Sequence, residues 1–302
     1  MNKTAREETG YMSDTPAPIR WNRVRKTRKI ADFCLKGSCI FCAILGIFFL
    51  GWILLMLCYE GITALSWNTF TKITPGPMTE GGGLANAIVG SFVLTFLGIA
   101  VATPVGVMAG TYLAEYGRKS RLAVTIRFVN DILLSAPSIL VGLFVYALLV
   151  QPFKSYNGWA GGVALAIIAL PVIVRTTEDM LRLVPEAMRE AGVALGAPHS
   201  TVIRLISWRA ARVGMVTGIL LATARIAGET APLLFTALNN SFWFRPDLTG
   251  GISNLPVTIY QFATSSYENW RNLAWAGALL ITCAILALSI FARLIFKKDA
   301  TR

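Results

Sequence analysis

Two charged residues interrupt an apolar stretch in the last third of the chain. Arg225 and Glu229 stand four positions apart in the run ARIAGETAPLL, within the apolar window 211–238. An arginine is always protonated, and its planar fork of N–H donors fits a tetrahedral oxyanion such as phosphate or sulfate. An ionised carboxylate only accepts hydrogen bonds, so Glu229 favours an anion that still carries a proton, as hydrogen phosphate does. The two residues therefore predict an anion path with a preference for phosphate over sulfate.

A structural interpretation of the same residues stays open. A charge at the bilayer centre costs about 2.5 to 3.5 kcal/mol on insertion scales, so such residues usually pair with each other or line a polar path. The spacing of four puts Arg225 and Glu229 on one helix face, where they can form an ion pair. Thr223 and Thr230 are further candidates for the polar path, although threonines also hydrogen-bond to their own helix backbone.

The elements that must position these residues are membrane-spanning helices. The 302 residues are 55% hydrophobic and 15% charged, with a mean hydropathy of +0.59, which excludes an ordinary soluble domain. A helix needs about 20 apolar residues to span a bilayer, and barrel-like alternation is absent. We predict an all-α membrane bundle of six transmembrane helices, in the windows 37–59, 84–114, 128–150, 159–174, 211–238 and 273–296.

The basic residues indicate how the bundle is oriented. Of the 28 Lys and Arg residues, 22 lie in residues 1–36, 115–127, 175–212 and the C-terminal tail, and Arg293 lies just before that tail, so the positive-inside rule predicts that both termini are cytoplasmic. Because the charge of +12 is sorted by membrane side, nucleic-acid binding is not expected. The predicted regions are a basic N-terminal arm (1–36), the first helix with its outer loop (37–83), a five-helix core (84–296) and a cytoplasmic tail (297–302).

Residues 178–208 form a charge-rich stretch between the fourth and fifth apolar windows. Apolar residues recur in it at spacings of three or four, as Val184, Met188, Ala191 and Leu195. This spacing predicts an amphipathic helix. Gly196 can supply a left-handed cap and Pro198 can open a second helix running to Trp208. We expect two short cytoplasmic helices joined at the glycine, with a solvated connecting loop as the alternative.

Further polar residues have simpler interpretations. Charged residues near the ends of the predicted spans are expected to form ion pairs at the interface, because snorkelling and interfacial placement cost little. The expected pairs are Arg127 with Asp131, and Arg175 with Glu178 and Asp179. The five cysteines and the single histidine lack the spacing of a metal site, so no metal is expected.

The charge-rich stretch resembles a known motif. Glu190-Ala191-Gly192, followed by Gly196 and then Ile206, resembles the EAA motif of permease subunits of ABC importers; the chain departs from that motif at Gly192, where alanine is usual, and at Trp208-Arg209, where Leu-Pro is common. The resemblance implies a coupling helix that docks in a groove of an ATPase subunit. The residues that it implies for ATPase coupling are Glu186, Glu190, Ala191, Gly192, Gly196 and Pro198.

Two longer strings narrow the resemblance. Residues 224–237 (ARIAGETAPLLFTA) and 172–196 (VIVRTTEDMLRLVPEAMREAGVALG) are closely similar to permeases of phosphate ABC importers. This resemblance implies a bacterial inner membrane, a heterodimeric pore with a sister permease, an ATPase dimer and a periplasmic phosphate-binding protein. It also implies that Arg225, Glu229, Thr230 and Thr223 belong to the substrate pathway. No nucleotide-binding loop is visible, so ATP is expected on the partner, and this chain is expected to be neither an enzyme nor a cofactor carrier.

Three other functions are alternatives or additions to the phosphate permease that the resemblance implies. An ABC permease for another oxyanion, such as sulfate or molybdate, differs from the main hypothesis only in the role of Glu229. A membrane scaffold in phosphate-starvation signalling is an additional output that the resemblance implies. An intramembrane enzyme would need paired catalytic groups at membrane depth, and the sequence does not supply them cleanly.

Overall fold

The computed structural model describes residues 19–77, 79, 81–117, 120–243 and 246–299, and within these residues the regular structure is helical throughout. The first 18 residues of the predicted arm and the last three of the predicted tail lie outside the described residues. By its internal contacts the chain divides into two units, Met1–Leu55 and Met56–Arg302. The site described below lies in the second unit.

The helices are numbered in chain order. They are α1 Ile19–Ala64, α2 Trp67–Thr71, α3 Ala85–Thr111, α4 Arg121–Ser135, α5 Ser138–Val145, α6 Gly158–Arg182, α7 Glu186–Ala194, α8 His199–Val202, α9 Trp208–Ala227, α10 Ala231–Thr236, α11 Leu255–Ala263 and α12 Glu268–Asp299. Three of them continue into a π-helical turn: Tyr112–Tyr116 follows α3, Tyr146–Val150 follows α5, and Ile203–Ser207 joins α8 to α9. A π turn of this kind is rare and is often found where a helix has a functional role.

Five helical segments among the described residues are long and apolar enough to cross a membrane: Ala31–Ala64, Ala85–Tyr116, Gly158–Arg182, His199–Ala227 and Glu268–Phe291. A sixth span is formed if Arg121–Ser135 and Ser138–Val150 are taken together, although the chain bends by 104° between them. Proline 137 explains this bend, since the residue before a proline is disfavoured in helical conformation. The predicted all-α bundle is confirmed, with five or up to six spans.

Two helices begin earlier than the hydropathy windows predict. Helix α1 starts at Ile19, so the second half of the predicted basic arm is helical and continuous with the first span. Lysine and arginine are good helix formers, which is compatible with this extension. The fifth span starts at His199. The predicted second short helix of the charge-rich stretch is therefore the beginning of that span.

The centre of the bundle is α6, which has 67% of its apolar window buried, against 22% to 33% for the spans of α3, α9 and α12. It packs most extensively on α3. A Cβ added at Gly106 would lie 2.8 Å from Ile173 Cγ2, and one added at Gly110 would lie 2.6 Å from Thr177 Cβ. Glycine on α3 therefore allows the two helices to touch along their backbones.

A buried asparagine ties the loop before α3 to the loop after α10. Asn86 is 1% exposed, and its Oδ1 accepts a hydrogen bond from the Thr74 backbone N–H at 3.0 Å. Its Nδ2 donates to Thr74 Oγ1 at 3.0 Å and to the Asn240 carbonyl at 3.1 Å. Because a buried amide is stable only when its donors and acceptors are satisfied, this residue fixes the loops at that end of the bundle.

Candidate functional site

Arg225 lies in the last turn of α9, and the helix ends at Ala227. Gly228 and Glu229 follow outside any helix, and Thr230 is the N-cap of α10. The prediction that Arg225 and Glu229 share one helix face is therefore wrong. The cause is local: Pro232 lacks an N–H, and its ring would clash with the carbonyl of Gly228 four residues earlier if the helix continued.

Both charged side chains remain accessible at this break. Arg225 is exposed, and Glu229 and Thr230 are partly buried. The ion pairs found within 4.0 Å among the described residues include neither Arg225 nor Glu229. The ion pair between Arg225 and Glu229 that the sequence allows is thus not formed in this conformation.

The other predicted pathway threonine lies elsewhere. Thr223 donates its hydroxyl to the Ile219 carbonyl at 2.8 Å, within its own helix. It lines an apolar pocket of about 420 Å³ formed by residues of α3, α9, α11 and α12. Two residues of helix correspond to about 200° of rotation, so Thr223 and Arg225 lie on nearly opposite faces of α9. The structure does not bring these two residues together.

A second interrupted span packs against this break. A Cβ added at Gly142 of α5 would lie 2.6 Å from the Pro232 Cα, so α5 rests directly on α10. Helix α5 is itself the second half of the bent α4–α5 pair. The bent α4–α5 pair and the break after α9 therefore meet at Pro232, two residues after Thr230. Irregular backbone at membrane depth is tolerated only where it is buried in protein or lines a water-filled cavity.

The charge-rich stretch 178–208 contains the predicted glycine cap. Helix α7 ends before Gly196, which has a φ of +78°, and the Gly196 N–H bonds to the Val193 carbonyl at 2.9 Å. A left-handed conformation at this position favours glycine because it has no Cβ. After the turn, Pro198 is the N-cap of α8. The prediction of a glycine-terminated helix is confirmed.

The apolar residues of α7 lie on its outer face. Met188 is 45% exposed and Leu195 is 89% exposed, and Ala191 is exposed as well. The inner face carries Gly192, which is buried, and the side chain of Arg189, which is 15% exposed. The apolar stripe of α7 therefore faces away from its own subunit.

Five of the six predicted coupling residues lie at the surface, and one is buried. Those at the surface are Glu186, Glu190, Ala191, Gly196 and Pro198. The buried one is Gly192, where an added Cβ would lie 2.5 Å from Ile206 Cδ1. The two motif positions Gly192 and Ile206 thus pack on each other. The nearest atom at this contact is the far end of the Ile206 side chain, so the contact does not by itself require glycine.

Sequence analysis missed a cluster of buried ion pairs beside α7. The side chains of Glu115 and Glu178 are 3% and 4% exposed. Arg127 donates from Nε to Glu178 Oε1 at 2.7 Å, so its predicted pairing with Asp131 is wrong. The sequence signal for these pairs was an acidic residue that follows an apolar window. A carboxylate buried at such a place needs a cationic partner.

Arg175 forms part of its predicted ion pairs. Its Nε donates to Asp179 Oδ2 at 3.1 Å, one helical turn away, and its Nη1 lies 3.8 Å from Asp131 Oδ1. All three side chains are about half exposed. Among the described residues no group of three or more His, Cys, Asp or Glu side chains is placed to hold a metal ion.

Comparison with known proteins extends these observations. A family model described as "Binding-protein-dependent transport system inner membrane component" matches residues 102–298. The chain also resembles solved structures of an inward-facing MetNI methionine ABC transporter, at 20% identity and a TM-score of 0.54 over 70% of this chain and 91% of that one. At this identity the likeness shows the fold alone, which is that of an ABC importer permease.

Curated relatives are similar over nearly the whole chain. The phosphate transport system permease protein PstA of Yersinia pestis is 57% identical over 274 residues, covering 91% of each chain. The protein of the same name in Haemophilus influenzae is 54% identical over 89% of this chain and 95% of its own. A probable PstA of Methanocaldococcus jannaschii is 32% identical over 94% of this chain and 99% of its own. The chain therefore belongs to the binding-protein-dependent transport system inner membrane components and groups with the phosphate transport system permeases of that family.

Proposed function

We propose that this chain is the membrane permease subunit of an ATP-driven phosphate importer and forms half of its translocation pathway. The observation that carries the proposal is Arg225: an arginine in a membrane span, exposed and without an ion pair to Glu229, at the point where α9 breaks. An unneutralised charge at this depth is costly unless it meets a polar path or a charged ligand. A guanidinium supplies the fork of donors that a tetrahedral oxyanion accepts.

The break also accounts for the presence of an acidic residue beside an anion path. Because Glu229 follows the helix end, its carboxylate is not committed to Arg225 by helical spacing. A carboxylate accepts a hydrogen bond from a protonated anion and repels one that has no proton to give. We assign Arg225 to the charge of the phosphate and Glu229, with Thr230, to selection for its P–OH group. Thr223 is retained as a peripheral pathway residue only.

Helix α7 is proposed as the coupling helix. Its outward stripe of Met188, Ala191 and Leu195 is an apolar surface on a cytoplasmic loop, and such surfaces mark contacts with other proteins. An ATPase groove is the partner of matching chemistry, because the sequence of this chain has no nucleotide-binding loop of its own. ATP is bound and hydrolysed there, and this subunit is non-catalytic and carries no cofactor.

The proposed assembly follows from the family. It comprises this chain, a PstC-like sister permease, a PstB-like ATPase dimer and a PstS-like periplasmic phosphate-binding protein in the bacterial inner membrane. We place both termini and α7 in the cytoplasm, on the side where most of the lysine and arginine residues lie.

The test is ATP-dependent phosphate uptake into proteoliposomes that contain the complete transporter and its binding protein. Arg225→Gln is expected to abolish uptake while the complex still assembles. Arg271→Gln, which removes an exposed charge near the start of α12, is the matched control and is expected to leave uptake unchanged. Transport of sulfate or molybdate in place of phosphate by the unmodified protein would refute the substrate, and normal uptake by Arg225→Gln would return Arg225 to a structural role.

A further inference from the structure

The side chain of Arg189 connects three parts of the subunit. Its Nε lies 3.2 Å from both carboxylate oxygens of Glu115, and its Nη2 donates to Glu115 Oε1 at 2.9 Å. Nη1 donates to the Val184 carbonyl at 2.6 Å, and Nη2 also donates to the Leu181 carbonyl at 2.7 Å. One guanidinium thus joins α7 to the end of α6 and to the π turn Tyr112–Tyr116 that follows α3.

We propose that the Arg189–Glu115 contact is the link through which movement of α7 is passed to α3, and that Arg189 is a positioning residue for the coupling of ATP hydrolysis to transport. The proposal rests on the proposed function, since it takes α7 as the segment that the ATPase moves. Helix α7 has two faces in this arrangement. Met188 and Leu195 face outward toward a partner, while Arg189 fastens the opposite side to the bundle.

The π turn after α3 is held from its other side as well. Arg127 of α4 donates from Nη2 to the Leu113 carbonyl at 3.0 Å and from Nε to Glu178 of α6 at 2.7 Å. The indole N–H of Trp208, at the start of α9, donates to Thr111 Oγ1 at 3.1 Å. Four other helices therefore contact the end of α3 within one and a half turns, so a displacement at Glu115 cannot be absorbed locally.

The path from this end of α3 into the membrane is rigid. Helix α3 touches α6 through Gly98, Gly106 and Gly110, where an added Cβ would come within 2.9 Å of Leu165, Ile173 and Thr177 respectively. The nearest side-chain atoms at these contacts are Cβ or Cγ2 atoms, which lie next to the α6 backbone, and closely packed interiors transmit strain. A pull on Glu115 therefore moves α3 and α6 together, and α9 packs on both of them.

The choice of arginine follows from this geometry. A lysine ammonium is a single point charge, whereas the guanidinium offers five donors in a fixed plane. Only the latter can reach a carboxylate and two carbonyls from one side chain at these distances. Arg189→Lys should keep the charge beside Glu115 and lose part of the connection to Leu181 and Val184.

The experiment uses the complete transporter in proteoliposomes and measures phosphate transported per ATP hydrolysed, for equal amounts of assembled complex. We expect Arg189→Ala and Glu115→Gln each to lower this ratio about tenfold while ATP hydrolysis continues, an effect within the usual range of coupling between sites. Arg189→Lys is expected to be intermediate. Arg121→Ala, which removes an exposed arginine at the start of α4, is the control and should keep the ratio of the unmodified protein.

Two further results separate coupling from stability. The double variant should show the ratio of either single variant, because both remove one contact; a loss equal to the product of the two would overturn the proposal. Variants that assemble poorly but transport normally per ATP would show that the contact is only structural. Since truncation of a buried arginine can prevent assembly, Arg189→Lys and Glu115→Gln carry the test alone if Arg189→Ala is not recovered. Absence of phosphate uptake by the unmodified complex would instead refute the proposed function.

Discussion

Glu178 provides a quantitative test of how the end of the bundle beside α7 is held together. Its carboxylate is 4% exposed, and a single oxygen, Oε1, receives Arg127 Nε at 2.7 Å and Arg182 Nη2 at 2.6 Å. Glutamine has almost the same shape and can keep an oxygen at this position. The substitution Glu178→Gln therefore removes the charge without removing the acceptor, which isolates the electrostatic part of the interaction.

The expected cost follows from the hydrogen bond with Arg127 and the ion pair with Arg182. A hydrogen bond to a charged group contributes roughly 1.5 to 3 kcal/mol to stability, against roughly 0.5 to 1.5 kcal/mol for a neutral one. Losing the charge therefore costs about 1 kcal/mol at the hydrogen bond and up to about 1 kcal/mol at the half-exposed ion pair, or about 2 kcal/mol in all. For chains somewhat smaller than this one, 1 kcal/mol shifts the melting temperature by about 2 to 4 °C, so we expect a decrease of about 4 to 8 °C.

Asp179→Asn is the matched control on the next residue of the same helix. Asp179 is 47% exposed and pairs with Arg175 one turn away, and exposed pairs of this kind contribute only about 0.3 to 0.5 kcal/mol. The assay is thermal unfolding of the purified complex, followed by loss of soluble assembled transporter. Equal melting temperatures for Glu178→Gln and Asp179→Asn would refute the argument that burial and shared bonding make Glu178 important.

Two further predictions concern packing and buried polar groups. Gly110→Ala should cost about 1 to 3 kcal/mol, because the new Cβ would overpack the contact with Thr177, and it should lower the yield and melting temperature of the complex. Gly192→Ala should keep phosphate uptake within about twofold, because the new Cβ meets chiefly the end of the Ile206 side chain, which can move aside. Equal losses of uptake in Gly110→Ala and Gly192→Ala would contradict this. Asn86→Ala should lower the free energy of unfolding by about 2 kcal/mol, because it leaves buried backbone groups unpaired. The same unfolding assay measures this loss, with an alanine substitution of an exposed asparagine as the control.

The spans were predictable because one physical requirement dominates them. Backbone N–H and C=O groups in hydrocarbon must be bonded within the segment, so apolar windows of sufficient length become helices. The windows 84–114 and 159–174 correspond to Ala85–Tyr116 and Gly158–Arg182. The ends of these two windows that carry Glu115 and Glu178 were placed too early because hydropathy penalises charged residues. In the structure Glu115 and Glu178 extend those helices at little cost, since each carboxylate is paired with arginine.

The breaks in the spans were not predicted, although their signals are local. Hydropathy treats Gly228 and Pro232 as neutral positions and so reads one helix from 211 to 238. Their spacing of four is the spacing at which a proline ring meets a helix carbonyl. Hydropathy likewise does not mark the break at Pro137 between α4 and α5. Helix α5, which follows the second break, packs on α10 at Pro232, next to the residues of the proposed anion path.

Helix α7 shows why the periodicity of a pattern does not determine its orientation. The spacing of Met188, Ala191 and Leu195 correctly predicted an amphipathic helix, but spacing alone does not say which face packs on the subunit. Two features decide it. Arg189 finds Glu115 and two carbonyl acceptors inside, which makes burial of the charge acceptable, and Gly192 lets the helix lie close to Ile206. Apolar stripes left outside in this way often mark contacts with other proteins. The arginine and the stripe are therefore complementary features of one element: the arginine fastens α7 to the bundle, and the stripe is left at the surface for the proposed partner.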